Sequence, residues 1–250
     1  MRDKIKDFQY FKNMIDISYK SIDRNLLSIK SGDTPEDMIP DWKGYAVQNF
    51  INIIKSKYSA GYAIGDLTQD VQNAIELVSE SWDGFWRLEY KGRKLHQYGL
   101  GAYDHMLWLL SLGYLLDIEE DRFKKLVEII DQDQVRDNLF EFIIQAKVKD
   151  RPPISSESYE YGLKLFGSIR KAITEADKNN SQKLVKKFAC GEWYMNHRSS
   201  GWYNSHNIIH NIYFGYWSFE TAAVVKIMGL DDSSFRYCKY YPGDLVHGDR

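Results

Sequence analysis

Apolar side chains recur at helical spacing along most of this chain, and this pattern constrains the fold more than any other feature. In the first segment, seven apolar residues from Phe8 to Ile29 follow one another three or four positions apart. That spacing places them on one face of a long amphipathic helix. The turn-forming residues Ser31, Gly32 and Asp33 come directly after it. The helix is therefore predicted to end there.

The same periodicity predicts further helices almost to the end of the chain. One begins near Asp41 and another at Thr68, with Phe85 at the end of its apolar face. A helix over 102–116 is apolar nearly all round, so we expect it in the middle of the fold. No segment alternates strictly between apolar and polar residues, and strands are therefore not predicted. The remaining predicted helices, some of them starting at Asp117 or near Val135, cover 117–130, 135–143, 155–176, 181–194 and 213–228.

These elements predict an all-α protein. We expect a helical bundle over residues 1–120, packed on an α-superhelix-like half over residues 121–250. Helix pairs of ~30–40 residues, as predicted here, are typical of α-solenoids, but the sequence has no repeating consensus.

Composition excludes several classes of protein. With 33 basic and 35 acidic residues the net charge is −2, which argues against a dedicated nucleic-acid binder. No apolar segment approaches the ~20 residues that span a bilayer, and the charged N-terminus is unlike a signal peptide. The two cysteines, Cys190 and Cys238, are too few for a disulfide scaffold and suit a reducing compartment. The sequence therefore predicts a cytoplasmic protein.

The small net charge conceals blocks of one sign. Residues 31–80 carry a net charge of −5 and residues 115–140 a net charge of −4, whereas residues 164–187 carry +5. Solvated helix faces are the ordinary explanation of such blocks. Acidic residues in a first helical turn also complement the helix dipole without any partner.

A metal site is one alternative that the residues allow. His206 and His210 are four positions apart, so on a helix both would point to one side, and Glu220 could complete the set. A helical metal-dependent hydrolase built on these residues is therefore one alternative function. Asn207, however, stands where a zinc protease needs its general base. A generic helical scaffold for another protein is a second alternative.

The most informative segment is 201–247, which is rich in aromatic residues. On the predicted helix, Tyr213, Trp217, Glu220 and Val224 share one face. A carboxylate among aromatic rings needs a partner, because an unpaired buried charge is costly. By sequence, His206 or a tyrosine hydroxyl is the nearest candidate.

Two stretches of this segment carry a family resemblance. The run YFGYWSFETAAVVKIMGLDDSSF (213–235), followed by YYPGDLV (240–246), closely resembles the C-terminal signature of the PoNi family. The stretch YDHMLWLLSLGYLLDIEEDRFKKLVEII (103–130) resembles the end of that family's N-terminal region. The resemblance covers both family halves, roughly residues 3–120 and 125–247. PoNi proteins are immunity proteins that neutralise PoNe-type DNase toxins of polymorphic toxin systems.

The resemblance implies an all-helical, non-enzymatic cytoplasmic protein without a cofactor. It implies a cognate toxin of the PD-(D/E)xK-like nuclease class as partner, delivered between bacteria by contact-dependent secretion such as type VI secretion. It implies no direct contact with nucleic acid or membrane. It also implies structural roles for the motif residues Trp202, His206, Tyr213, Tyr216, Trp217, Glu220, Asp231, Asp232, Tyr240, Tyr241 and Pro242.

Acidic residues are the best candidates for binding a nuclease. A nuclease presents a basic DNA-binding surface, and carboxylates can take the place of the phosphates. The predicted toxin-binding residues are Glu119, Glu120, Asp121, Asp131, Asp133 and Asp137, alongside Asp33, Glu36 and Asp37.

Overall fold

The computed structural model describes residues 1–82, 86–158, 164–210 and 212–248. These residues are predominantly helical, which confirms the all-α prediction. The helices are α1 (Phe8–Ser31), α2 (Ile39–Ala60), α3 (Thr68–Ser81), α4 (Leu100–Leu115), α5 (Glu120–Gln132), α6 (Asn138–Lys147), α7 (Gly167–Thr174), α8 (Lys178–Lys187), α9 (Trp193–Asn196), α10 (Phe219–Met228) and α11 (Asp244–His247).

The first helices form where the periodicity predicts them. The Asp7 carboxylate accepts the N–H of Tyr10 and caps the start of α1, and Gly32 ends the helix in the left-handed conformation. Helix α3 begins at Thr68, as predicted. α1 packs along α2, and α2 packs against α3. This layer supplies one side of the hydrophobic core.

Helix α4 lies at the centre, as its all-round apolar sequence predicts. It contacts α3, α5, α6 and α10, and most of its side chains are buried. At Gly113 a Cβ atom would lie 2.8 Å from the ring of Phe123 on α5. The glycine therefore permits close packing of these two helices. One core contains residues of both predicted halves, from Phe11 to Leu245, and the division at 120/121 stays a prediction.

A β-hairpin corrects the prediction that the chain has no strands. Strands β1 (Arg87–Tyr90) and β2 (Arg93–Tyr98) pair antiparallel, with Tyr90 opposite Arg93. Lys91 and Gly92 connect them, both with positive φ, as a tight two-residue hairpin turn requires. The strands lack apolar alternation because β1 buries no residue and the first two residues of β2 are exposed.

Several predicted helix boundaries are also wrong. Asp117 lies outside α5 with φ of +52°, and α6 begins at Asn138 because Asp137 caps it. Of the helix predicted over 155–176, only residues from 167 onward form an α-helix, which is α7. Residues 159–163 of that prediction lie outside the described residues, and so does Phe85 at the end of the predicted α3 face. The last long helix begins at Phe219 instead of at Tyr213. No helix in the described ranges is long and apolar enough to cross a membrane.

Candidate protein-binding site

Three of the predicted toxin-binding residues lie together at the start of α5. Glu119, Glu120 and Asp121 are exposed, and the positive end of the helix dipole stabilises carboxylates at this position. Glu120 forms an ion pair with Lys124 at 2.7 Å, and Glu119 lies 3.5 Å from Arg122. The hydrogen bond from Lys124 lowers the pKa of Glu120. This surface is acidic, and neighbouring cations on the same helix partly neutralise it.

Asp131 and Asp133 occupy different environments although they are two positions apart. Asp131 is exposed and accepts two hydrogen bonds from the Arg151 guanidinium, at 2.6 and 2.7 Å. Asp133 is buried, and its Oδ2 accepts hydrogen bonds from the Trp82 indole at 2.9 Å and the Tyr98 hydroxyl at 2.8 Å. Asp133 therefore joins α3 and the hairpin to the end of α5.

Asp137 is completely buried. One carboxylate oxygen caps α6 by accepting the N–H groups of Leu139 and Phe140, at 2.7 and 2.8 Å. The other pairs with Arg170 and accepts the Tyr103 hydroxyl. In this fold neither Asp133 nor Asp137 is accessible to a partner. The accessible part of the predicted set is Glu119, Glu120, Asp121 and Asp131.

A second acidic spot lies in the connection between α1 and α2. Asp33, Glu36 and Asp37 are all exposed there. Ser31 donates a hydrogen bond to Asp33, and Glu36 and Asp37 belong to a single 3₁₀ turn. Among the described residues, Glu36 and Asp37 form no ion pair, so this spot is less neutralised than the start of α5.

The aromatic part of the signature segment is extended, which corrects the helical face predicted for Tyr213, Trp217 and Glu220. Residues 212–218 contain no helix, and Gly215 has φ of +101°. A Cβ atom at Gly215 would lie 2.0 Å from Oγ of Ser59 on α2. Only glycine combines this backbone conformation with so close an approach. Gly215 therefore lets the segment pass directly over α2.

Side chains then join this segment to the N-terminal region. The Trp217 indole donates a hydrogen bond to Ser59 Oγ at 2.8 Å, and the Tyr213 hydroxyl donates one to the buried carboxylate of Asp3. His206 Nδ1 lies 2.9 Å from the hydroxyl oxygen of Tyr216. Tyr213 and Asp3 are 210 positions apart in sequence, so their hydrogen bond closes a very long loop of chain.

The predicted histidine pair does not share a helix. His206 lies in a single 3₁₀ turn, Ser205–Asn207, and His210 lies in irregular chain. Within the described ranges, no group of three or more His, Cys, Asp or Glu side chains is arranged to hold a metal ion. Glu220 is bonded to Ser218 instead, at 2.8 Å, so His206 is not its hydrogen-bond partner.

Glu220 belongs to a buried ionisable cluster that we call the central cluster: Lys55, Asp104, His197 and Glu220. All four are buried, and Oε2 of Glu220 has no hydrogen-bond partner. Burial raises the pKa of Glu220 to about 7, although its own backbone N–H and the charge of His197 oppose the shift. The side chain is therefore partly protonated near neutral pH.

The other members connect helices of both halves. His197 Nε2 lies 3.5 Å from Oδ1 of Asp104, an ion-pair distance too long for a good hydrogen bond. The Lys55 ammonium lies over the rings of Trp108 and Trp202, 4.7 and 5.6 Å from their centroids. Burial lowers the pKa of Lys55 to about 8 against the opposing charge of Asp104. The cluster is a charged junction inside the core.

The second half of the signature folds around Asp232. This buried carboxylate accepts hydrogen bonds from Arg236, from the Tyr241 hydroxyl at 2.9 Å, and from His247 when Nε2 carries a proton. Burial acts to raise its pKa, but these bonds outweigh burial and lower it. Asp231 is exposed and accepts the N–H and hydroxyl of Ser233 in a turn.

Stacked aromatic rings complete this architecture. The Trp193 and Trp202 rings stack with centroids 5.2 Å apart, and those of Tyr194 and Tyr240 with centroids 4.6 Å apart. Pro242, two positions after Tyr240 in sequence, is also buried. The motif residues other than exposed Asp231 are thus buried or half-buried parts of the fold.

A disulfide joins Cys190 to Cys238, with Cα atoms 5.2 Å apart. The expectation of two reduced thiols is therefore wrong for this structure. Cys190 lies in a π-helical turn, Phe188–Glu192, and Cys238 directly follows the turn over residues 233–237. The bond links the chain between the two signature stretches to the π-helical turn that lies between α8 and α9.

Two protein-family models match the chain. Residues 2–128 match the model described as PoNe immunity protein (PoNi), N-terminal, and residues 135–245 match PoNe immunity proteins (PoNi), C-terminal. The chain belongs to the PoNe immunity protein family. The resemblance seen in the signature is thereby confirmed, and the two matches cover nearly the whole of this PoNi chain.

A solved structure shares the fold. The crystal structure of protein PA2201 from Pseudomonas aeruginosa superposes with a TM-score of 0.71 at 20% identity, covering 98% of this chain and 89% of that one. At this identity the likeness shows the fold alone. No curated protein matches the chain.

The central cluster was not predicted, although the sequence contains a signal for half of it. Lys55 follows Phe50, Ile51, Ile53 and Ile54, and Asp104 lies near the start of the most apolar helix. A charge at such a position requires a buried partner. Nothing in the sequence indicates that the partner is His197, because tertiary packing brings it there.

Proposed function

We propose that this PoNi protein binds and inhibits a cognate antibacterial DNase toxin and so protects the producing cell and its kin. The match of both family halves carries the proposal. On this proposal the chain acts by binding and not by catalysis. Its partner is the toxin protein, and it needs no cofactor and contacts neither nucleic acid nor membrane.

The proposed place of action is the cytoplasm, where the DNA to be protected lies. The toxin would arrive by contact-dependent delivery such as type VI secretion. Structural disulfides are rare in that compartment. The proposal therefore requires that the protein remain active with Cys190 and Cys238 reduced, or that their disulfide resist reduction in the cell.

Exposed carboxylates support a role in meeting a basic nuclease surface. Glu119, Glu120 and Asp121 at the start of α5, with Asp131 at its end, form one acidic region of the described surface. The exposed acids of the α1–α2 connection form another. Such charges increase the association rate with a basic partner. We expect a nanomolar or tighter complex, about −12 kcal/mol.

Co-expression tests the proposal directly. The toxin gene that the proposal expects beside this gene is expressed from an inducible promoter with and without the protein, and survival and DNA integrity are measured. A nuclease with an inactivated catalytic site serves as the control for toxicity from expression alone. Protection is expected. If cells die and their DNA is degraded while the immunity protein is abundant and folded, the proposal is wrong.

A further inference from the structure

An exposed apolar surface lies where the N-terminus meets the signature segment. Ile209 is 95% exposed and Tyr237 90%. Ile209 lies shortly before the first signature stretch, and Tyr237 lies between the two stretches. A single exposed apolar side chain is ordinary, but several close together indicate an interaction surface. We call this surface the seam surface and define it as Ile208, Ile209, Ile212 and Tyr237 together with Lys4, Lys6 and Lys239.

Several contacts place these residues on one side of the molecule. The chain leaving Ile212 is held by a hydrogen bond from the Tyr213 N–H to the Tyr10 hydroxyl, at 3.3 Å. Tyr10 lies in the first turn of α1, and its ring lies under the Lys6 ammonium. Ile212 is therefore close to the start of α1, and Ile208 and Ile209 lie shortly before it in the chain.

A cavity links this region to Tyr237. The cavity has a volume of about 410 Å³, and Lys4, Tyr213, Tyr216, Tyr237 and Lys239 are among its lining residues. Cys238, also in its lining, is fixed by the disulfide. Tyr237 therefore directly precedes a residue, Cys238, whose position the disulfide constrains.

Lysines surround the apolar residues. Lys4 and Lys239 are exposed, and Lys6 is half-buried. Burial lowers the pKa of His206, and the charges of Lys239 and Lys6 lower it further, so both lysines lie near this side chain. The nearby carboxylates are engaged: Asp3 by Tyr213 and Asp244 by Arg2 at 2.6 Å. The seam surface therefore combines exposed apolar side chains with positive charge.

We propose that the seam surface docks an apolar, carboxylate-rimmed face of the cognate nuclease, away from the basic surface that binds DNA. The inference rests on the proposed function. A basic DNA-binding surface would be repelled by Lys4, Lys6 and Lys239, whereas an acidic rim complements them. Exposed isoleucine and tyrosine side chains supply the apolar anchors that dominate binding energy. The acidic region of α5 and the seam surface then engage parts of the toxin that differ in charge.

Binding of purified variants to the catalytically inactive nuclease tests the inference. Ile209→Asp is expected to weaken the complex at least ~10-fold, since a charge replaces an apolar anchor. Leu27→Asp is the matched control, because Leu27 is 66% exposed but lies about 25 Å along α1 from Tyr10.

Charge reversal supplies an independent measurement. Lys4→Glu with Lys239→Glu is expected to slow association several-fold, most strongly at low salt. The control is Lys94→Glu with Lys171→Glu, two exposed lysines on the hairpin and on α7. Circular dichroism and melting temperature establish that each variant is folded before its binding is interpreted.

The outcomes separate this inference from the proposed function. If the unmodified protein does not bind the nuclease, the proposed function is wrong and the inference falls with it. If the unmodified protein binds and both seam variants bind equally well, only the inference is overturned. Self-association of the unmodified protein in light scattering, abolished by Ile209→Asp, would show that a second copy covers the surface and would also overturn it.

Discussion

The start of α5 and the signature segment are stabilised in opposite ways. At the start of α5 the exposed acids interact with cations within the same helix or its neighbour, such as Lys124 four positions after Glu120. The aromatic part of the signature segment, residues 212–218, is irregular chain whose contacts reach Ser59 on α2 and Asp3 at the N-terminus. Substitution should therefore leave the fold intact in the first region and disrupt it in the second.

The strongest test of this comparison is Gly215→Ala. Its Cβ would meet Ser59 Oγ at 2.0 Å, and φ of +101° is strained for any L side chain. We expect a loss of more than about 3 kcal/mol in the free energy of unfolding, measured by urea denaturation. Gly65→Ala is the control, because Gly65 has no atom within 4 Å of a Cβ and no positive φ. Equal stability of the two variants would show that the segment does not depend on its close approach to α2.

The disulfide gives the next largest effect. Cys190 and Cys238 are 48 positions apart, and a bridge that closes a loop of this length contributes about 2 to 4 kcal/mol. Cys190→Ala with Cys238→Ala should lower stability by that amount under oxidising conditions and have little effect in reductant. Alkylation of free thiols in intact cells then shows which state the protein holds. An identical melting temperature with and without the bridge would contradict a structural role.

The two regions also differ in how far the sequence predicts them. Helices α1 and α3 depend on local spacing and capping, so the apolar periodicity locates them within a few residues. The exposure of Glu119 and Glu120 follows from the same periodicity, since they precede the apolar face of α5. Local signals suffice there because the energetics are local.

Local sequence patterns do not predict the conformation of the signature segment. Tyr213 and Trp217 stand at helical spacing, yet contacts with Asp3 and Ser59, over 150 positions away, determine their conformation. The glycine at 215 is the one residue that signals a break in the helix. The burial of Asp133 is equally hidden, because Trp82 and Tyr98 reach it from α3 and from a hairpin with little apolar patterning.

Glu220 offers a test through pH. Its folded pKa of about 7 lies above the ordinary 4.5, so its contribution to stability is full below pH 4.5 and is lost as pH rises towards 7. Glutamine resembles the protonated form and does not titrate. Relative to Glu220→Gln, the unmodified protein should therefore lose on the order of 2 kcal/mol of unfolding free energy between pH 5 and pH 8.

The difference between the two proteins is the quantity to measure, because other buried groups also titrate. Burial lowers the pKa of His105 to about 4, and this acts to raise stability between pH 4 and 6.5. Asp104 raises the pKa of His197 against the opposing effect of burial, and this acts to lower stability above pH 6.5. The effect of His105 is shared by the two proteins and cancels. The effect of His197 cancels only in part, because the charge of Glu220 also raises the pKa of His197. A difference that is independent of pH would place a fixed charge, or none, on Glu220 throughout.

The smallest expected effect on stability is at the start of α5. Neutralising Glu119, Glu120 and Asp121 together, as Glu119→Gln, Glu120→Gln and Asp121→Asn, removes exposed carboxylates whose ion pairs are screened by solvent. We expect an almost unchanged melting temperature but a slower association with the inactive nuclease, most clearly at low salt, since exposed charges act mainly on the encounter rate. Asp231→Asn is the control, because Asp231 is an exposed acid of the signature held in a local turn with Ser233. If the triple variant melts much earlier and associates at the normal rate, these acids stabilise the fold and do not bind a partner, and the contrast between the two regions does not hold.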